Sequence, residues 1–215
     1  RNVSSNRCCL RILGMLFAIL TFFYTANFAL ATERDYFSKD GYKEFLYDNS
    51  TGLGSGAAND IVQTGDGFIW IATYNGLIRY DGNEFYHYSA SYGVNSVSAL
   101  FVDNKDNLWI GTNDNGVKRY KQGNFVSINK ENGLASNIIR GFAENADGTI
   151  WIGTTQGLCS IKNDKVQPFE YPGLKNKYIA QLKKGLGNKT VGVTVKGDLF
   201  VIDGDKLESY VSQHK

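Results

Sequence analysis

Three tryptophans recur at nearly fixed intervals, and that spacing limits the fold more than any other feature. Trp70, Trp109 and Trp151 stand 39 and 42 residues apart, each in nearly the same phrase. The copies read Gly67-Phe-Ile-Trp-Ile-Ala-Thr73, Asn107-Leu-Trp-Ile-Gly-Thr112 and Gly148-Thr-Ile-Trp-Ile-Gly-Thr154. Each is followed by Gly and an apolar residue, as in Gly76-Leu77, Gly116-Val117 and Gly157-Leu158. A fourth, degenerate copy aligns Gly197-Asp-Leu-Phe-Val-Ile202 with Gly157 and places Val191 where Trp would stand. Self-similarity with a period of about 40 residues marks a repeat architecture.

Each copy reads as four short strands. The first strands are Asp60–Val62, Ser96–Val102, Asn137–Phe142 and Tyr178–Leu182. The turns after them, Asp66-Gly67, Asp106-Asn107 and Asp147-Gly148, supply the positive φ that a tight hairpin requires. Alternation then puts Phe68, Trp70 and Ala72 on one face of the Trp strand and Ile69, Ile71 and Thr73 on the other. Both faces are largely apolar, so both should be buried. A four-stranded sheet buried on both faces and repeated along the chain is a propeller blade stacked between neighbours. The small residue after Trp-Ile (Ala72, Gly111 or Gly153) would let backbones approach closely. The tryptophans are read as blade-to-blade core.

The expected fold is therefore all-β: four four-stranded antiparallel propeller blades, with the ring incomplete. The repeats run over 53–92, 93–132, 133–175 and 176–211 within a propeller portion spanning 32–215. Residues 42–47, Tyr42 to Tyr47, resemble an outer strand with no first three strands before it. The last copy already has an outer strand of its own, so 42–47 is expected to be an unpaired edge. This chain is read as the front of a longer protein.

Composition supports strands and turns. Aromatics are 13% and hydrophobics 42%, too many for a disordered chain. Gly is 24 and Pro only 2, and no Gly-x-y period exists, which excludes collagen. The formal charge of +2 owes everything to Arg1, Arg7 and Arg11. Without residues 1–31 the chain has 20 basic and 21 acidic residues, and nothing in that balance argues for nucleic acid.

Residues 1–11 are polar and basic, and residues 12–30 are almost wholly apolar. Ala29-Leu30-Ala31 fits a small-x-small cleavage site before the polar Thr32-Glu33-Arg34-Asp35. Residues 1–31 thus read as a secretory signal, or as an uncleaved anchor of about 20 apolar residues. Either reading exports everything after about residue 32, to the periplasm or the outer face of the inner membrane. Only Cys159 remains beyond the leader, so no internal disulfide is expected.

Few residues suggest chemistry. His87 sits in an outer-strand run, Phe85-Tyr-His-Tyr88, and reads as a strand residue. One cysteine and two histidines give no metal cluster by spacing, and no Gly-x-Ser-x-Gly elbow is present. Asp103-Asn-Lys-Asp-Asn107 lacks the Gly and distant Glu of an EF-hand and reads as a hairpin turn. No catalytic residue, metal or cofactor is expected. Lys175, Lys177, Lys183, Lys184, Lys189 and Lys196 form a basic stretch, read as solvated turns against an anion-facing patch.

The phrase Asp147-Gly-Thr-Ile-Trp-Ile-Gly-Thr154, preceded by Gly133-Leu-Ala-Ser-Asn137, resembles the two-component regulator propeller repeat. Phe68–Thr73 with Gly76–Gly82 is similar. The resemblance covers about 42–211, three copies well and the fourth poorly. It implies the extracytoplasmic sensor region of a bacterial membrane receptor with a histidine kinase or GGDEF-type diguanylate cyclase output. It implies no particular binding residue. The partners expected on this reading are a periplasmic or extracellular ligand (a glycan among the candidates), further blades and an output domain of the same protein, the membrane through the leader or a later helix, and a second copy of the chain. A secreted carbohydrate-active or carbohydrate-binding propeller and a protein-interaction scaffold are the rival readings.

Ligand contacts are expected where loops of successive blades converge at one channel rim. Asn59, Asn95 and Asn137 stand near the starts of inner strands. The turns after the Trp strands, carrying Tyr74, Asn113 and Thr155, vary between copies although their flanks repeat. Variation within a fixed frame is where selectivity can be placed. The competing reading of the asparagines is that they cap turns.

Overall fold

The computed structural model describes residues 36–37, 43–55 and 57–212. The chain divides into two compact units, 1–46 and 47–215. In the first, β1 (Tyr36–Phe37) pairs antiparallel with β2 (Lys43–Glu44), Tyr36 facing Glu44. Of the strand expected over 42–47, the described residues are strand at Lys43–Glu44, and those two have a partner; residue 42 lies outside the described residues. The leader, 1–31, lies outside the described residues.

Among the described residues, the second unit holds four four-stranded antiparallel sheets and, besides them, short 3-10 turns. The first blade is β3 (Asp60–Gln63), β4 (Ile69–Thr73), β5 (Gly76–Tyr80) and β6 (Phe85–Tyr88). The second is β7 (Val97–Val102), β8 (Leu108–Thr112), β9 (Val117–Lys121) and β10 (Asn124–Ile128). The third is β11 (Ile139–Glu144), β12 (Ile150–Thr154), β13 (Gly157–Lys162) and β14 (Lys165–Phe169). The fourth is β15 (Ile179–Lys184), β16 (Lys189–Thr194), β17 (Leu199–Asp203) and β18 (Lys206–Val211). Inner strands neighbour one another in order, β3 to β7 to β11 to β15. The blades form an open series and do not close a ring.

Three cores lie between the blades. Trp70, Ala72 and Leu77 of the first pack against Val94, Val97, Leu100 and Ile110 of the second. Trp109 and Val117 of the second meet Leu134, Ile139, Phe142 and Ile152 of the third. Trp151 and Leu158 of the third meet Leu174, Ile179, Leu182 and Phe200 of the fourth. The tryptophans are 1%, 2% and 2% exposed, so all three are core residues in equivalent places. Burying so large a side chain dominates the energetics of each interface.

The repeated phrase has a local reason at each end. Its final threonine closes the next hairpin: Thr112 Oγ1 donates to the Gly116 carbonyl and accepts from the Asn115 N–H. Thr73 and Thr154 do the same for their own turns. The small residue sits directly under the following blade. A Cβ on Gly111 would lie 2.6 Å from Ile139 Cγ2, and one on Gly153 would lie 2.8 Å from Ile179 Cγ2.

One detail of the repeat meets the expectation with a different residue type, and another departs from it. The positive φ before the second Trp falls on Asp106, the position of Gly67 and Gly148, while the Asn107 side chain turns inward to Asp103. In the fourth blade the residue closing the β16–β17 hairpin is Asp198, not Gly197. Three residues separate Thr194 from Asp198, as three separate Thr112 from Gly116 in the second blade, so the fourth copy aligns one residue later than the first and third. Asp198 replaces the glycine hydrogen bond with its own N–H and carboxylate on Thr194.

Candidate ligand-binding end of the blades

In every blade the start of the inner strand lies beside the end of the Trp strand. Asp60 is opposite Ala72, Val97 opposite Thr112, Ile139 opposite Thr154, and Ile179 opposite Thr194. The turn after each Trp strand therefore sits at the same end as the residues that lead into the inner strand. Backbone bonds fix this: the Asn113 N–H donates to the Ser96 carbonyl, Thr155 to Ile138, and Val195 to Tyr178. All six expected site residues are at this end.

Their surroundings differ. Tyr74 is 64% exposed, at the tip of its turn. Asn59 Nδ2 donates to the Val97 carbonyl of the second blade at 2.7 Å. Asn95 reaches Asp114 at 3.2 Å. Asn137 Oδ1 accepts from the Lys130 N–H, capping the 3-10 turn before it. The Thr155 hydroxyl is 3.1 Å from that of Ser136. Asn113 Nδ2 donates to Ser96 Oγ, leaving its Oδ1 for a neighbouring blade.

That neighbour is Arg140, which the loop pattern did not single out. Its Nη1 donates to Asn113 Oδ1 at 2.6 Å and to the Ile139 carbonyl at 2.9 Å. Its Nε donates to the Tyr178 hydroxyl at 2.6 Å, with the guanidinium 5.4 Å from that ring's centroid. One arginine thus ties together the second, third and fourth blades. The available signal was a lone cation inside the apolar strand Asn137–Phe142.

Below this rim the inner strands line a concave space of about 600 Å3. Asn59, Ser98, Arg140, Gln181, Lys183 and Lys184 contribute to its wall. Ser98 Oγ donates to the Ile139 carbonyl of the third blade, and the Leu100 N–H donates to the Asp60 carboxylate of the first. Polar groups of this wall therefore also link the blades. The arrangement offers hydrogen-bond donors and acceptors on a rigid frame.

The basic stretch separates into two kinds of lysine. Lys175 pairs with Glu170, Lys177 with Asp198, and Lys189 with Glu208. Lys183 and Lys184 are exposed on the channel-lining strand β15. His87 is an exposed strand residue whose Nε2 lies 2.9 Å from the Gly52 carbonyl. Asp103–Asn107 is a hairpin turn, with Asp103 Oδ1 accepting from the Lys105 and Asn107 N–H groups. Among the described residues no group of three His, Cys, Asp or Glu side chains is placed to hold a metal, and no helix is long and apolar enough to cross a membrane.

The family of the two component regulator propeller matches residues 52–75, 91–114 and 133–156. Three segments of the chain are thus similar to the two component regulator propeller repeat. Each matched segment runs from a 3-10 turn through the inner and Trp strands to the variable turn, so it spans the rim just described. No curated protein matches the chain. Among solved structures, the extracellular domain of a protein described as a hybrid two component system of B. thetaiotaomicron is 23% identical. That likeness covers 75% of this chain and 23% of the other, with a TM-score of 0.63. An inactive virginiamycin B lyase from Staphylococcus aureus, solved with quinupristin, is 17% identical over 83% of this chain and 62% of its own, with a TM-score of 0.64. PorZ, a surface component of the type-IX secretion system of Porphyromonas gingivalis, is 15% identical over 80% of this chain and 30% of its own, with a TM-score of 0.63. At these identities the likeness shows the fold. The chain spans less than two thirds of the length of each of these proteins.

Proposed function

We propose that this chain is the exported, ligand-receiving part of a bacterial membrane signalling receptor and is not itself a catalyst. The observation that carries the proposal is the stack of three matched regulator repeats whose unlike turns all lie at one blade end. A rigid repeated frame with variable turns is suited to recognition. The ligand, with a glycan among the candidates, would meet Tyr74, Asn95, Asn113, Asn137, Thr155 and Asn59 at that end, around Arg140. Further blades and a histidine kinase or diguanylate cyclase output of the same protein would complete the receptor. The leader, cut or uncut, would deliver the blades to the periplasmic or outer face of the membrane.

Two measurements test this. Alkaline phosphatase fused after Val211 in the producing bacterium should be active, because that enzyme matures outside the cytoplasm; an inactive fusion would overturn export. The full-length protein should drive a transcriptional or cyclic-dinucleotide output that depends on which single oligosaccharide the cells are fed. Turnover of those oligosaccharides by the purified protein would instead make it an enzyme.

A further inference from the structure

The turns between the third and fourth strands place a carboxylate at two blade interfaces and not at the first. In the second blade the turn is Gln122-Gly123, between the paired residues Lys121 and Asn124. In the third it is Asn163-Asp164, between Lys162 and Lys165. In the fourth it is Gly204-Asp205, between Asp203 and Lys206. Gln122, Gly123, Asn163 and Asp164 all have positive φ, so the two earlier turns share one backbone form, with Gly123 and Asp164 in the same place. Asp164 forms an ion pair with Arg119 Nη1 of the preceding blade. Asp147 first, and Asp205 after it, raise the Lys162 ammonium of the third blade above its ordinary pKa.

The first interface has the cation without the acid. Arg79 stands opposite Trp70 as Arg119 stands opposite Trp109. Where Asp164 would answer it stands Gly123, and a Cβ there would meet nothing within 4 Å, so the space is open. The Arg79 guanidinium lies 4.3 Å from the Phe68 ring centroid and 4.7 Å from that of Tyr86. Its Nε is buried and has no hydrogen-bond partner. Aromatic faces attract the charge but leave the N–H groups at the guanidinium edge unanswered. A desolvated cation with an unpaired donor is destabilising. An anion at that edge would gain charge-assisted hydrogen bonds where water competes little.

We propose that Arg79, flanked by Phe68 and Tyr86 and next to the open space at Gly123, is a binding site between the first and second blades for the carboxylate of a small-molecule ligand. That carboxylate would stand where Asp164 stands in the next interface. The planar guanidinium fork between two rings matches a planar carboxylate. Asp81 and Glu84 close the adjoining hairpin, Asp81 Oδ1 accepting from the Asn83 and Glu84 N–H groups and Glu84 Oε2 from the Tyr86 hydroxyl. Their charges disfavour a doubly charged phosphate or sulfate more than a singly charged carboxylate. Phe68 precedes the strand that Tyr74 follows, so this site lies at the opposite blade end from the variable turns.

The missing acid can be tested without a ligand. Gly123→Asp and Gly123→Asn share the backbone cost of a side chain at positive φ, so comparing them isolates the carboxylate. Gly123→Asp should melt at a higher temperature than Gly123→Asn, and the difference should vanish when Arg79→Gln is added. Equal melting of the two single variants, or a difference that survives Arg79→Gln, overturns the site. The ligand class is tested by calorimetric titration of the full-length protein at fixed ionic strength with sodium glucuronate, glucose and sodium sulfate. Glucuronate should bind at least about tenfold more tightly than glucose or sulfate, and Arg79→Gln and Gly123→Asp should each weaken it at least about tenfold. Tighter binding of sulfate would overturn the carboxylate assignment. Glucuronate bound equally by Arg79→Gln would place it elsewhere on the protein, and an absence of glucuronate binding would leave Arg79 to water alone; either result overturns the proposal.

Discussion

Gly111 lies so close to Ile139 of the next blade that a Cβ on it would sit 2.6 Å from the Ile139 Cγ2 atom. That contact explains why Trp-Ile is followed by Gly or Ala. Gly111→Ala should destabilise the protein by about 1–3 kcal/mol through overpacking. Ile139→Val alone should cost about 0.5–1.5 kcal/mol. Combined, they recreate the Ala72–Val97 pairing of the first interface, so the double variant should be more stable than the sum predicts, with a coupling of about 0.5–3 kcal/mol. Urea denaturation of the four proteins measures it, and additive losses would refute the size match between Gly111 and Ile139.

The three tryptophans are alike in burial and unlike in hydrogen bonding. Trp70 Nε1 donates to Thr64 Oγ1 and Trp109 Nε1 to Asp103 Oδ2, while Trp151 Nε1 has no partner. Asn145 occupies the corresponding acceptor position, but its Oδ1 accepts from Thr190 of the fourth blade instead. Trp109→Phe should therefore cost more than Trp151→Phe, by about 1 kcal/mol or more, since it also strips a donor from a buried carboxylate. Chemical denaturation of both variants compares them. Equal losses would remove the indole bond as a source of stability.

Asp103 and Glu144 line one cleft between the second and third blades and are shifted in opposite directions. Burial pushes Asp103 upward, but hydrogen bonds from Asn107, Trp109 and the Lys105 amide outweigh it and hold the carboxyl below its ordinary 3.8. Burial raises Glu144 above its ordinary 4.5, the Asn104 amide opposing and the Asp103 charge adding. Asp103 thus contributes stability above pH 3.8 that is lost as pH falls through its lower folded value. Glu144 contributes in the other sense, fully below pH 4.5 and lost as pH rises through its folded value. Glu144→Gln, which keeps an acceptor for the Asn104 N–H, should be more stable than the parent at neutral pH and lose that advantage in acid. Asp103→Asn should be less stable at neutral pH, with a difference that shrinks below pH 3.8. Unfolding curves across that range test both signs.

Burial pushes the Cys159 thiol up to about 11. Thiolate is the reactive form, so Cys159 should resist thiol reagents in the native protein and react once the chain is unfolded in urea. Rapid native labelling would place it outside the core between the second and third blades.

Much of this fold was legible because the repeat states its own frame. The tryptophan interval gave the blades, and alternation along Phe68–Thr73 gave the two buried faces. The fourth blade was harder, because its core is rebuilt from Gly192 and Phe200 rather than repeated, and its hairpin closes on Asp198 rather than on a glycine. The rim was legible only as a set of variable turns. Asn59 and Asn137 make bonds that hold blades and turns, which a single sequence does not distinguish from ligand contacts. Arg140 was hidden for a different reason. Its importance comes from Asn113 and Tyr178, residues far from it in the chain, and pairing across blades leaves no local pattern.

The central claim is that the turn-bearing end of the blades receives a ligand that sets the receptor's output. Its most direct test is the output of the full-length protein carrying Tyr74→Ala, Asn95→Ala or Asn113→Ala, read beside melting temperature and surface level. Tyr74 is exposed and Asn95 half-buried, so both variants should melt as the parent does, and the account predicts that they lose the response to the inducing oligosaccharide. Asn113→Ala should lose it too, with some loss of stability from freeing Arg140. Full responses from all three variants at parental surface levels would contradict the claim.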